Sequence, residues 1–187
     1  MQTKLIPSAI LAVSMLYCAS AAAADDLLTA MFTPFRQKEV RPVDNKSYQF
    51  ECGSCHFAYP AGLLPANSWD KLLNEKALAH HFGENAQLDQ GVLTEIREYA
   101  LANAADKSYW KRARKIAVAT KDIDPPLLRI TQVRYIKRKH QDIPDNLIQG
   151  NKDVKSLSYC DACHTQAKDG VFDADTVLIP NHPEWTR

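Results

Sequence analysis

Glu51-Cys52-Gly53-Ser54-Cys55-His56 and, far downstream, Tyr159-Cys160-Asp161-Ala162-Cys163-His164 decide how this chain is read. Each holds C-x-x-C-H, the attachment signature of a c-type haem. The spacing follows from the chemistry. Two thiols three positions apart on one local turn can form thioether bonds to both vinyl groups of a single porphyrin. The histidine that follows is then held beneath the macrocycle, where its imidazole reaches the iron. Two such motifs predict two covalently attached haem c groups, one bound through Cys52, Cys55 and His56 and one through Cys160, Cys163 and His164.

The N-terminal residues point to export. Lys4 supplies a positive n-region, Leu5 to Leu16 an apolar h-region, and Ala21 to Ala24 a small-residue cleavage site, the parts of a secretory signal peptide. Residues 1–24 are therefore expected to be removed, with cleavage after Ala22 or Ala24, and the periplasm is the expected compartment. Cys18 offers a lipoprotein anchor as the alternative, but the bulky Tyr17 before it suits lipoprotein processing badly. No other stretch approaches the roughly 18 apolar residues of a transmembrane helix, so the mature chain is expected to carry no transmembrane segment.

Of the five cysteines, Cys18 leaves with the signal and the other four all lie in the two motifs. None remains for a structural disulfide. Two C-x-x-C redox disulfides, or one zinc site built from all four thiols, are the competing readings. Neither explains why a histidine follows each second cysteine. The 23 basic side chains include Lys4, and without it they balance the 22 acidic ones. Nothing in that balance points to nucleic acid.

Between the motifs the periodicity is helical. Residues 24–45, broken by Pro34 and Pro42, read as an N-terminal arm. The run from Phe57 to Pro65 contains three structure-breakers and predicts an irregular apolar loop, suited to covering a haem edge. Ser68 is placed to N-cap a helix running through Trp69, Leu72, Leu73 and Ala77 to His80-His81, with Gly83 just past its end. A second helix starts at Asp89 and carries Val92, Leu93, Ile96, Tyr99 and Ala100 on one stripe. A basic helical segment follows from Lys107 to Thr120, and Pro125-Pro126 mark a linker around residues 121–128. Thr131 then caps a short helix through Val133 and Ile136 to His140. No sustained period-two alternation builds a sheet. The expected fold is mainly α, a small cytochrome c-like protein with an N-terminal haem lobe over residues 25–120 and a C-terminal haem lobe over 121–187.

His56 and His164 are the expected proximal ligands. The sixth ligand sets the function: methionine raises the potential, a second histidine lowers it, and an empty position permits chemistry or gas binding. Met1 and Met15 leave with the signal, so only Met31 remains and two His/Met haems are impossible by counting. The distal candidates are His80, His81, His140 and His182. His140 lies on the buried stripe of its helix, and His182, near the C-terminus, reads as a surface residue. A regular helix through Trp69, Leu72, Leu73 and Ala77 points His80 toward the apolar face and His81 toward its flank, although regularity often fails in a last turn.

Several runs together resemble the dihaem cytochrome c family. They are Cys52-Gly53-Ser54-Cys55-His56, Leu63-Leu64-Pro65 with Ser68-Trp69, His81-Phe82-Gly83-Glu84-Asn85-Ala86, Leu128-Arg129-Ile130-Thr131 and Cys160-Asp161-Ala162-Cys163-His164. The likeness spans about residues 46–180. It implies small exported electron-transfer proteins whose two haems are both bis-histidine ligated. The family's distal histidines map onto His81 and His140, and His80 has no counterpart, so the resemblance selects His81 where helical arithmetic selects His80. Sequence proximity alone pairs His56 with His81 and His164 with His140, with the crossed arrangement as the alternative.

These readings predict an electron carrier with two low-potential centres and no catalytic residues. The resemblance implies a membrane b-type cytochrome as donor and a small oxygen-binding monohaem cytochrome as acceptor. The rival is a haem enzyme or gas sensor, peroxidase- or reductase-like, in which one distal histidine leaves the iron. Basic residues at Lys111-Arg112-Arg114-Lys115 and at Arg134-Lys137-Arg138-Lys139 read either as solvated helix faces or as a docking surface for an acidic partner.

Overall fold

The computed structural model describes residues 39–185. The expected signal peptide, Cys18 and Met31 all lie outside the described residues. Those described are mainly helical and contain no strand, only the isolated β-bridges His81–Glu84 and His164–Val177. Among the described residues seven α-helices run in order: α1 Lys46–Gly53, α2 Ala66–Leu72, α3 Glu75–Leu78, α4 Gln90–Ala102, α5 Lys111–Thr120, α6 Arg134–His140 and α7 Cys160–Cys163. Short 3-10 turns link them at Ala61–Leu63, Ile130–Gln132, Asp145–Leu147, Ala167–Asp169 and Ala174–Thr176.

The first motif sits at the end of α1. Asn45 starts that helix: its Oδ1 accepts the Tyr48 N–H at 2.7 Å, satisfying one of the orphan donors of the first turn. Glu95 of α4 accepts from both Asn45 Nδ2 and Ser47 Oγ at 2.9 Å, which ties the start of α1 to the helix beneath it. α4 buries Leu93, Ile96 and Ala100 on one face, as its periodicity requires. The apolar loop after His56 packs down as expected, with residues 60–65 all buried. Its backbone groups find partners: Trp69 Nε1 donates to Ala61 O at 2.7 Å, and Ala105 N donates to Leu64 O at 2.9 Å.

The helix expected from Ser68 to His81 is broken in two. It starts earlier, at Ala66, because Pro65 ends the preceding loop and Asp106 Oδ1 accepts the Ala66 N–H at 2.7 Å. Ser68 is no cap; it lies inside α2, fully buried, and its Oγ has no hydrogen-bond partner. α2 stops at Leu72, Leu73 turns out of helical geometry (φ −99°, ψ 64°), and Asn74 caps a new short helix by accepting from Ala77 N at 3.0 Å. An asparagine side chain competes with the helix for backbone donors, which is why the run restarts there. Thr131 is likewise not a cap. It lies in the 3-10 turn before α6, whose N-cap is Val133.

Two apolar clusters result. The larger takes in Val40, Tyr48, Leu64, Trp69, Ile96 and Ile116 and continues across residues 121–128 to Ile130, Val133 and Tyr135. The smaller gathers Leu147, Ile148, Val154 and Ile179 beside the second motif.

The end of the N-terminal arm is pinned between α5 and the segment after the second motif. Val40 N donates to Gly170 O at 3.2 Å, and Arg112 N donates to Glu39 O at 3.3 Å. Gly170 has φ +72°, and a Cβ there would stand 2.3 Å from Val40 O, so the position excludes any side chain. Glu39 and Arg112 form a bidentate pair at 3.0 and 3.1 Å, with side-chain exposures of only 12% and 15%. Glu39 Oε2 also accepts the Phe172 N–H at 2.7 Å, and Arg112 Nη1 donates to Tyr135 OH at 3.1 Å. So well satisfied a pair is costly to halve. Arg112→Ala is expected to lower stability by about 3–5 kcal/mol, because it leaves a carboxylate buried without its counter-charge. Denaturant titration checks this, and an unchanged midpoint would show that water screens the pair.

Candidate haem sites

Folding brings four of the six histidines together as two facing pairs. His56 and His81 have ring centroids 6.3 Å apart with planes inclined by 18°. His140 and His164 stand 6.0 Å apart at 75°. A metal–imidazole bond is about 2 Å long, so two such bonds plus the distance from nitrogen to ring centre on each side come to about 6 Å. Both gaps therefore fit one metal ion between two imidazoles.

Ring tautomers agree with that fit. His56 Nδ1 lies 2.7 Å from Phe57 O, and His140 Nδ1 lies 2.9 Å from Ile136 O in its own helix. A carbonyl oxygen only accepts, so Nδ1 carries the proton in both rings and Nε2 keeps its lone pair for a metal. Such backbone anchoring is the usual second layer of a histidine metal site. The facing rings are different: Nδ1 of His81 and of His164 is buried without a hydrogen-bond partner. Burial first, then the facing His140, then Arg112 push His164 down to about 4. Burial first, then His56, then Arg129 push His81 down as well. Both shifts favour the neutral ring, the form that binds a metal.

Each motif supplies its thiols beside its own histidine pair. Cys52 closes on the last turn of α1, with Cys55 and His56 on the turn beyond. Cys160 and Cys163 begin and end α7, and His164 N donates back to Cys160 O at 2.9 Å. No disulfide joins any of the four. Burial pushes the Cys52 and Cys160 thiols up to about 12, with Glu51 and Asp161 adding to the shift. Leu178 N braces the second motif by donating to Cys163 O at 2.9 Å.

His81 sits where it does because α3 ends at Leu78. The chain then reverses through Phe82 (φ 53°) and Gly83 (φ 108°), closed by Glu84 N donating to His81 O at 3.1 Å. This turn, not a helix face, aims the ring at His56, and it leaves His80 exposed. Helical arithmetic pointed to His80 only because it assumed one unbroken helix. His182 faces neither pair; its Nδ1 lies 3.2 Å from Glu184 Oε1.

Aromatic neighbours flank three of the four rings. Tyr59 stacks on His56 (4.9 Å, 28°), Phe82 meets His81 edge-on (4.8 Å), and Phe172 meets His164 edge-on (5.2 Å). Arg129 lies over the Phe82 ring at 4.1 Å. Sequence reasoning did not single out Tyr59, Phe172, Arg129 or the Glu39–Arg112 pair. Tyr59 entered only as part of the Phe57–Pro65 loop, Arg129 only within the Leu128–Thr131 run and Arg112 only within a basic cluster.

Known proteins carry the same architecture. The family model described as dihaem cytochrome c matches residues 48–172. The solved diheme cytochrome type c from Shewanella baltica is 40% identical, with 73% of this chain and 94% of that one covered and a TM-score of 0.59. A diheme cytochrome c from Rhodobacter sphaeroides is 39% identical over 72% of this chain and 99% of its own, with a TM-score of 0.60. No curated protein matches. Two metal-sized histidine gaps on a helical scaffold, together with these matches, define a haem electron-transfer protein. The chain belongs to the dihaem cytochrome c family.

Proposed function

We propose that the protein is a periplasmic electron carrier whose two haems are covalently attached and each held between two histidines. Haem, when bound, supplies an iron that takes up and releases one electron. The chain does the rest. Cys52 with Cys55, and Cys160 with Cys163, fix each porphyrin by thioether bonds. His56 and His81 hold one iron, and His164 and His140 the other. The observation that carries this reading is the pair of metal-sized gaps between imidazoles, two of them with Nδ1 anchored on backbone carbonyls. With His56 and His81, and His164 and His140, each committed to an iron, the chain would leave substrate no place there, and its work would be to set potentials and exclude water. Two imidazoles and no methionine favour low potentials.

The signal-like N-terminus and the thioether motifs support export, and no helix among the described residues is long and apolar enough to cross a membrane. Partners follow from the family resemblance: a membrane b-type cytochrome as donor and a small oxygen-binding monohaem cytochrome as acceptor. The charge pattern supports an acidic docking face on one of them. α5 and α6 pack against each other, and Lys115 Nζ lies 5.8 Å from the centre of the Tyr135 ring. Their two basic runs thereby lie on neighbouring helices, with Lys111, Arg114, Lys115, Arg134, Lys137, Arg138 and Lys139 all exposed. Neither helix contains a carboxylate, and α6 ends in His140.

Two outcomes check this account. Carbon monoxide added to the reduced protein is expected to leave its low-spin spectrum unchanged; prompt formation of a bound form would favour the enzyme or gas-sensor reading instead. Electron-transfer rates with an acidic redox protein are expected to fall about tenfold or more as salt rises to physiological strength. Replacing Lys137, Arg138 and Lys139 by Glu should remove most of that dependence, and a salt-independent wild type would refute the docking face.

A further inference from the structure

Tyr59 touches both haem sites. Its ring stacks on His56 at 4.9 Å and 28°, while its hydroxyl donates to Ser158 O at 2.6 Å, two residues before Cys160. Ninety-nine positions of sequence separate the two ends of that hydrogen bond, so it is a tertiary fastener and not a local turn. The tyrosine is itself held on two sides. Tyr48, almost wholly buried at 1% exposure, donates its hydroxyl to Tyr59 O at 2.8 Å. The Phe57 ring meets Tyr59 edge-on at 5.5 Å and 89°. With backbone and ring both fixed, the phenol has little freedom to swing away from Ser158.

We infer that Tyr59 is the positioning residue that sets one haem site against the other. Its ring orients His56, and its hydroxyl fixes the backbone that leads into the second C-x-x-C-H. The inference rests on the ligand assignment above and extends it: the two centres are built as one coupled unit, not as two sites on a common scaffold. Tyr59 is neither oxidised nor protonated in this role. It acts by geometry, since a hydrogen bond made by a partly buried phenol holds its acceptor within a few tenths of an ångström.

Two variants of the full-length, haem-loaded protein separate the two ends of the side chain. Tyr59→Phe keeps the ring and removes only the hydroxyl. It is expected to speed amide exchange in the Ser156–Cys160 segment and to change the spacing between the two steps of a potentiometric titration, with both low-spin electron paramagnetic resonance signals in place. Tyr59→Leu removes the stack too, and should in addition displace the signal of the His56 site, which is identified as the one lost in His81→Ala. Faster exchange with an unaltered titration would overturn the inference and leave Tyr59 a structural fastener only. A Tyr59→Phe protein identical to wild type in exchange and titration would overturn it as well, as would a Tyr59→Leu protein whose His56 signal does not move. Failure of the underlying ligand assignment looks different: the wild type would itself show high-spin iron.

Discussion

A buried imidazole nitrogen without a hydrogen-bond partner costs free energy, and this fold holds two, on His81 and His164. Each belongs to a ring that faces a second histidine across about 6 Å, the gap that two metal–imidazole bonds require. Much of the surrounding structure maintains those two gaps. α3 stops early so that the His81–Glu84 turn can aim His81. α6 runs on to His140, whose Nδ1 is held by the Ile136 carbonyl. The segment after α7 is clamped through Phe172 to Glu39 and through Gly170 to Val40.

The two sites are not copies. In the first, the motif histidine His56 is anchored on a backbone carbonyl and the distal His81 is not; in the second, the distal His140 is anchored and the motif histidine His164 is not. The rings are nearly parallel in one pair and nearly perpendicular in the other. An anchored Nδ1–H makes its ring a stronger donor to a metal, so the two pairs would offer a metal the same ligand types with a different division of strength. Tyr59 joins the asymmetric halves, and the basic face on α5 and α6 leads to the second of them.

The two motifs were legible from sequence because each sets a histidine directly after a C-x-x-C pair, a residue that neither a redox disulfide nor a four-thiol zinc site calls for. The α4 stripe was legible because Leu93, Ile96 and Ala100 repeat at helical spacing and nothing interrupts them. The position of His81 was not. Its orientation depends on Asn74 breaking a helix that the apolar residues on either side would continue, and on two left-handed residues after it. Periodicity is blind to both. Family resemblance pointed to His81 where arithmetic pointed to His80, and the structure sets His81 opposite His56 with His80 in solvent. The Glu39–Arg112 pair and the Tyr59–Ser158 bond lay beyond reach for another reason: each links residues more than seventy positions apart, and no local pattern encodes such a meeting.

Electron paramagnetic resonance of the oxidised protein tests the central claim most directly. Perpendicular imidazole planes leave the two iron–ligand π interactions nearly equal, and parallel planes separate them, so the wild type should show two distinct low-spin signals and no high-spin iron. His81→Ala should convert the signal of the parallel pair to high spin, His140→Ala that of the perpendicular pair, and His80→Ala neither. A high-spin signal in the wild type, or one created by His80→Ala and not by His81→Ala, would contradict the account.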